Sequence, residues 1–266
     1  MTRFGKILII LVVILLVGIG YLFYQLISSA DPIDPYLSHI TTQNGIFVYN
    51  ESSQYYDISF SYPVTLPSVV LSDIENYLRD EVSTFKSEGS FENLSAENVT
   101  ELGFDGERKY TLTFEYAYYG GEKISTHILR GDVWTGGAHS NQTIKIFSYD
   151  LALKKVSIEN IITDETKLAV TSSLIREQII KQFSVEGEEL ALFSEGLNPI
   201  YDNFRNFYFT DSGIHFIYPP YYVLPYSYGS VDTIIPFEEI YQYITPEFIP
   251  ESFVPLENNS GSEKEN

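Results

Sequence analysis

The stretch "RKYTLTFEYAYYGG", residues 108–121, alternates without a break. Tyr110, Leu112, Phe114, Tyr116 and Tyr118 fall on one side of an extended chain, and Lys109, Thr111, Thr113 and Glu115 on the other. A period of two marks a strand with one face on a core and one toward water, which is an antiparallel habit. "EKISTHILRGDVWT" and "AHSNQTIKIFSYD" continue as strands, parted by Gly136 and Gly137. A glycine pair between strand-like runs predicts a tight hairpin, because primed turns need positive φ. Trp134, the only tryptophan, and His139 would then flank the turn and pack across it. With Tyr 22 and Phe 18 dominating the aromatic content, the body is expected to be β-rich.

Helical spacing enters at two places. Leu71, Ile74, Leu78, Val82 and Phe85 predict an amphipathic helix, with Ser72 and Glu75 as its capping box. Asp164 predicts the cap of a second, which presents Leu168, Thr171, Ile175, Ile179 and Phe183 to a core. The polar run 86–107 reads as a long loop, and "EGEELALFSEG" as a further helical stretch. "TDSG" is turn chemistry between two strands; a proline-tyrosine loop follows, then another strand and a short helix opened near Pro236. The fold class is α+β: antiparallel sheets with packed helices in two subdomains, preceded by one N-terminal transmembrane helix.

That helix is read from Ile7 to Ile27, which holds no charged residue. At 1.5 Å per residue the run is long enough for a hydrocarbon core of about 30 Å. Arg3 and Lys6 precede it and no Lys or Arg follows before Arg79, which places the N-terminus in the cytoplasm and the rest outside. The alternative is a signal peptide cleaved after Ala30. The expected organisation is a cytoplasmic stub and anchor over 1–30, a linker over 31–44, one subdomain over 45–150, a second over 151–250, and a disordered acidic tail over 251–266.

Cysteine is absent, so no disulfide, thiolate metal site or cysteine nucleophile is available. Residues 31–266 hold 36 acidic and 14 basic side chains, Arg3 and Lys6 lying before them, for a formal charge of −22. Nucleic acid is a poor partner for such a chain, since binding it means neutralising phosphates. Cationic proteins, cationic peptides or metal ions suit it better, while the plainer reading is that acidity keeps an exported domain soluble.

"WTGGAHSNQTIKIFSYDLALKKVSIENII" and "YFTDSGIHFIYPPYYVLPYSYGSVDTIIPFEEI" carry a resemblance. In the order of their features, over roughly residues 45 to 245, they resemble the extracytoplasmic domain of RsiV-type lysozyme-sensing anti-sigma factors and the non-catalytic N-terminal region of PdaC-type peptidoglycan deacetylases. The turn motif falls on Gly136, Gly137, Ala138 and His139, and the late motif on Thr210, Gly213, Ile214, Phe216, Pro225, Tyr226 and Gly229. The resemblance implies a two-subdomain fold and, in RsiV-type members, direct lysozyme binding. The chain departs from it in having only six residues before the apolar run, where a sigma-factor-holding module would lie, and in lacking a deacetylase domain.

Catalytic patterns are absent. His39, His127, His139 and His215 show no paired metal spacing, no G-x-S-x-G elbow occurs, and neither glycine pair fits a phosphate or dinucleotide loop, so no catalytic residue, metal or cofactor is assigned. The candidate binding residues are Trp134 and His139 at the turn, with Tyr221, Tyr222, Tyr226 and Tyr228 in "YPPYYVLPYSYG". Tyrosine offers large contact area at low entropic cost, and proline stiffens the loop beforehand. The competing readings are hairpin packing for His139 and a core between subdomains for the tyrosines. The expected function is a membrane-anchored extracytoplasmic binding domain at the cell envelope for a cationic muralytic enzyme such as lysozyme or a cell-wall glycan; the alternatives are a glycan hydrolase and a structural envelope protein.

Overall fold

The structure is a computed structural model that describes residues 36–106, 108–186 and 190–255. The apolar run Ile7–Ile27 lies outside them, and among the described residues no helix is long and apolar enough to cross a membrane. The described residues from Thr41 onward form one compact unit.

Six strands form one sheet in the order of the sequence: β1 (Ile40–Gln43), β2 (Ile46–Ser52), β3 (Tyr56–Pro63), β4 (Tyr110–Gly120), β5 (Ile124–Trp134) and β6 (Asn141–Asp150). β1 begins within the stretch expected as linker. The purely antiparallel expectation fails at one place. β3 and β4 run parallel, with Tyr56 opposite Tyr110 and Phe60 opposite Phe114. The cause is the helix between them, α1 (Ser68–Gly89), which serves as the crossover that a parallel pair requires.

α1 buries Val70, Ile74, Leu78, Val82 and Phe85. It starts after Pro67, a turn before the expected capping box at Ser72 and Glu75, because proline presets the first-turn geometry without a side-chain cap. Capping boxes form instead at Ser95 and Asn98, opening α2 (Ala96–Glu101), and at Ser157 and Asn160, opening α3 (Ile158–Ile161). Residues 86–107 are therefore not a plain loop. They bury Phe91 and Phe104, whose rings pack with Tyr55 and Tyr110.

The second half builds α4 (Glu165–Phe183), a three-stranded antiparallel sheet of β7 (Phe207–Thr210), β8 (Gly213–Tyr218) and β9 (Val231–Pro236), and the short α5 (Phe237–Ile240). Asp164 caps α4 as its sequence position predicts, accepting from Thr166 N at 2.8 Å and Lys167 N at 3.0 Å. Within "EGEELALFSEG", Leu190–Phe193 is not helical and Ser194–Leu197 makes a single 3₁₀ turn. Phe207, Phe209, Ile214, Phe216 and Ile235 join Leu168, Ile175 and Ile179 of α4 in one core. The other face of this sheet rests on the larger one, where Tyr208 and Ile217 meet Ala117, Tyr119, Ile128 and Ile146.

The order of layers is thus helix, sheet, sheet, helix, with α1 on the far side of the six-stranded sheet, where Tyr77 meets Phe114 and Phe147. The expected disorder from Glu251 is not seen over the described residues 251–255. Glu122, at the β4–β5 tip, accepts from Glu251 N at 2.8 Å and Ser252 Oγ at 2.9 Å, and Phe253 packs on Phe237.

Candidate functional site

Cross-strand pairing sorts the sheet face turned to β7–β9 into rows. Ala117, Ile128 and Ile146 lie opposite one another and are covered by Tyr208 and Ile217. One register step toward the 135–140 turn the row becomes Glu115, Arg130 and Ile144, and the next Thr113, Asp132 and Gln142. Cover ends within the first of these rows, where Ile144 still packs against the Tyr208–Ile217 cluster while Glu115 is exposed. These two rows, with Ser230 from the segment before β9, line a cavity of about 190 Å³. Gln142 and Ile144 continue into a second depression of about 160 Å³, walled by Asn203, Asn206, Arg205 and Tyr222.

Ser140 ties this groove to an aromatic rim. Its hydroxyl donates to Asp132 Oδ2 at 2.6 Å, and its carbonyl accepts from Tyr226 Oη at 3.4 Å. His139 stacks on Tyr226 at 4.0 Å between centroids and lies 6.0 Å from Tyr221, and Tyr221 lies 5.4 Å from Tyr226. Ser230 Oγ, donating to Gln142 Oε1 at 3.1 Å, fastens the far side.

Tyr221 has φ +67, at the third position of a turn closed by Tyr222 N donating to Pro219 O at 3.2 Å. Glycine or asparagine normally holds that position, because a Cβ there crowds the following carbonyl at a cost of about 1–2 kcal/mol. The side chain gains little burial in return, being 57% exposed.

The six residues singled out from sequence separate into two groups. His139, Tyr221 and Tyr226 come together across more than eighty residues of chain. Trp134 does not join them. Its Nε1 donates to Gly137 O at 3.0 Å, its ring carries the Arg108 guanidinium at 5.2 Å, and Arg108 also donates to Gly136 O. The turn is a six-residue connection from Thr135 to Ser140, not a two-residue primed turn, and only its Gly136 has positive φ, at +89. Trp134 and His139 therefore serve different neighbours instead of packing across the turn. Tyr222 is half-buried with its hydroxyl on Asn203 Oδ1 at 2.9 Å, and Tyr228 meets the edge of Phe183. Sequence reasoning missed Glu115, Arg130, Asp132 and Gln142. The signal was there in β5, where alternate positions read Ile124, Thr126, Ile128, then Arg130 and Asp132.

Two histidines lie in polar contacts elsewhere. His127 is buried, shares a 2.7 Å hydrogen bond with Tyr116 Oη, and is pushed down to about 4 by desolvation. His215 Nδ1 lies 2.9 Å from Asp232 Oδ1, and Tyr208 Oη donates to Asp232 Oδ2 at 2.9 Å. Burial first, and then the Asp232 charge, raises the Tyr208 phenol far above its ordinary value, so it acts only as a donor. Among the described residues no group of three or more His, Asp and Glu side chains is placed to hold a metal ion.

Fold and surface together define an α+β module of two stacked sheets with a polar groove and an aromatic rim. Residues 159–238 match the model of a family described as protein of unknown function, DUF3298. Over 104 residues the chain is 28% identical to the immunogenic protein MPT64 of Mycobacterium tuberculosis H37Rv and to the immunogenic protein MPB64 of Mycobacterium bovis, covering 38% of this chain and 43% of each relative. The chain thus spans less than half the length of these curated relatives. A DUF3298 family member from Bacteroides fragilis has a similar crystal structure, with a TM-score of 0.52 at 17% identity over 75% of this chain and 92% of that one. Such a likeness speaks to the fold alone. A DUF3298 family protein from Pseudomonas aeruginosa aligns over 79% of this chain and 98% of its own, with 14% identity and a TM-score of 0.42.

Proposed function

We propose that the chain is a non-enzymatic binding module of the cell envelope, tethered through its N-terminal apolar segment with the folded part outside. We propose further that it recognises a cationic protein, such as a muralytic enzyme of the lysozyme type, through the rim of His139, Tyr221 and Tyr226. The observation that carries this reading is Tyr221: an exposed aromatic held at positive φ beside two further rings. Strain at a position where the side chain gains little packing points to selection for what the ring does at the surface. A charge of −22 over residues 31–266 supports a basic partner, whose encounter it would accelerate in a salt-dependent way. The resemblance to lysozyme-sensing domains supports the same class.

The test is calorimetric titration of the full chain in detergent with hen lysozyme at low and at moderate salt. Saturable one-to-one binding that weakens with salt, and that Tyr221→Asn abolishes, is the expected outcome. No heat at either salt from a folded protein overturns the reading.

A further inference from the structure

We propose that the groove on the β4–β6 face is a binding site for a neutral saccharide. The groove shares no side chain with the rim. Its floor is built by register: three neighbouring strands place Glu115, Arg130, Thr113, Asp132 and Gln142 on one face, at the edge of what β7–β9 covers. Gln142 and Ile144 also line the second depression, so two shallow basins lie side by side.

Spare hydrogen-bonding capacity is concentrated there. Arg130 is half-buried and makes no hydrogen bond or ion pair among the described residues, although Glu115 stands directly opposite it. Asp132 commits one carboxylate oxygen to Ser140, and Gln142 commits its carbonyl oxygen to Ser230, leaving its amide donors over. In the second basin Asn203 and Arg205 add polar side chains to the wall, above Tyr218, which is buried in the core on the α4 side of β8.

The signs of charge select the ligand. An anion such as phosphate would meet Arg130 but also Glu115 and Asp132, and a simple cation would meet those carboxylates but also the guanidinium. Sugar hydroxyls both donate and accept, so one neutral polyhydroxy ligand can satisfy carboxylate, carboxamide and guanidinium together. Ile144 and the Tyr222 ring supply apolar contact for the C–H face of a pyranose, the mixture of a few placed polar groups and apolar wall that small-molecule sites use.

The full chain in detergent is titrated with cellotetraose and with tetra-N-acetylchitotetraose, with inorganic phosphate and glycylglycine as controls. Saturable binding of at least one tetrasaccharide is expected, with an affinity that salt leaves unchanged because the ligand is neutral. Arg130→Met, which keeps the stem and removes the fork, weakens it about tenfold or more, the cost of a lost charged hydrogen bond. Gln142→Ala, at an exposed position, weakens it less, and Tyr221→Asn leaves it intact. Binding of neither sugar overturns the proposal, as does sugar binding indifferent to both Arg130→Met and Gln142→Ala. Binding of phosphate or the dipeptide in place of sugar reassigns the groove and also overturns it. Lysozyme titration of Arg130→Met is expected to match the unmodified chain, so either reading can fail while the other stands.

Discussion

The carboxylates beneath α1 and the polar groups of the groove on the other face of the six-stranded sheet are treated in opposite ways. Toward α1 two carboxylates, Glu51 and Asp73, are closed in networks. Glu51 accepts from Tyr49 Oη at 2.6 Å, Tyr56 Oη at 2.8 Å and Lys86 Nζ at 2.5 Å, and Asp73 accepts from Tyr149 Oη at 2.6 Å and Lys155 Nζ at 2.8 Å. In the groove on the other face Arg130 has no partner among the described residues, and Asp132 and Gln142 keep capacity to spare. A polar group closed within the protein stabilises the fold, whereas one left open serves whatever arrives from solution.

The largest effect is expected on the closed face. Glu51→Ala strips three donors of their acceptor, and its carboxylate is nearly covered, with a side-chain exposure of 10%. Breaking such a network costs about 3 kcal/mol, discounted from the fully buried range because Lys86 is partly solvated. Chemical denaturation of the variant should show this loss. A change below about 0.5 kcal/mol, the size of an ordinary surface effect, would erase the distinction between the faces.

Acid tests the same face by another route. Burial holds the His127 imidazole down at about 4, against 6.5 when free. The unfolded chain therefore binds the extra proton first, and the stabilising contribution of neutral His127 is whole above pH 6.5 and lost as pH falls toward 4. Desolvation acts to raise the Glu51 carboxyl, but Lys86, Tyr49 and Tyr56 outweigh it and leave it lowered, so its contribution is lost only at more acid pH. Stability should fall by on the order of 2 kcal/mol between pH 6.5 and 4.5. His127→Phe should flatten that window and leave the acid limb below it. A pH profile unchanged in the variant would show that the imidazole is not what titrates there.

How far the sequence could be read depends on whether a signal is periodic. The alternation of Tyr110–Tyr118, the α1 stripe from Ile74 to Phe85 and the Asp164 cap all rest on local spacing, and each reappears in the structure. Phe91 and Phe104, by contrast, stand alone in a polar run, and their burial depends on partners at Tyr55 and Tyr110 that no local pattern reveals. The parallel β3–β4 pair was hidden for a related reason: a strand's own pattern does not state the direction of its neighbour. The rim of His139, Tyr221 and Tyr226 was found, as half of the six candidates, because glycine, proline and tyrosine are conspicuous in sequence. The groove was not, since an alternation that turns from Ile128 to Arg130 has meaning only once the edge of the covering sheet is known.

Tyr221→Asn sharpens the contrast at the rim. Asparagine tolerates positive φ, so the substitution should leave stability unchanged or raise it by about 0.5 kcal/mol, less than the full strain because the ring's contacts with His139 and Tyr226 are lost. Binding of the cationic partner should disappear while thermal unfolding stays in place. Loss of stability with partner binding retained would assign the ring to packing instead.

The smallest stability change is expected at the centre of the groove. Arg130→Met removes a guanidinium that nothing among the described residues holds, and keeps the aliphatic stem that covers the sheet, so unfolding should shift by no more than about 0.5 kcal/mol. The same substitution is the one that should cost saccharide affinity tenfold or more. Paired with Glu51→Ala it makes a two-by-two measurement: one variant loses stability and keeps the ligand, the other keeps stability and loses the ligand. If Arg130→Met instead unfolds the chain as readily as Glu51→Ala does, the open side chain is a structural one, and the difference between the two faces is of degree only.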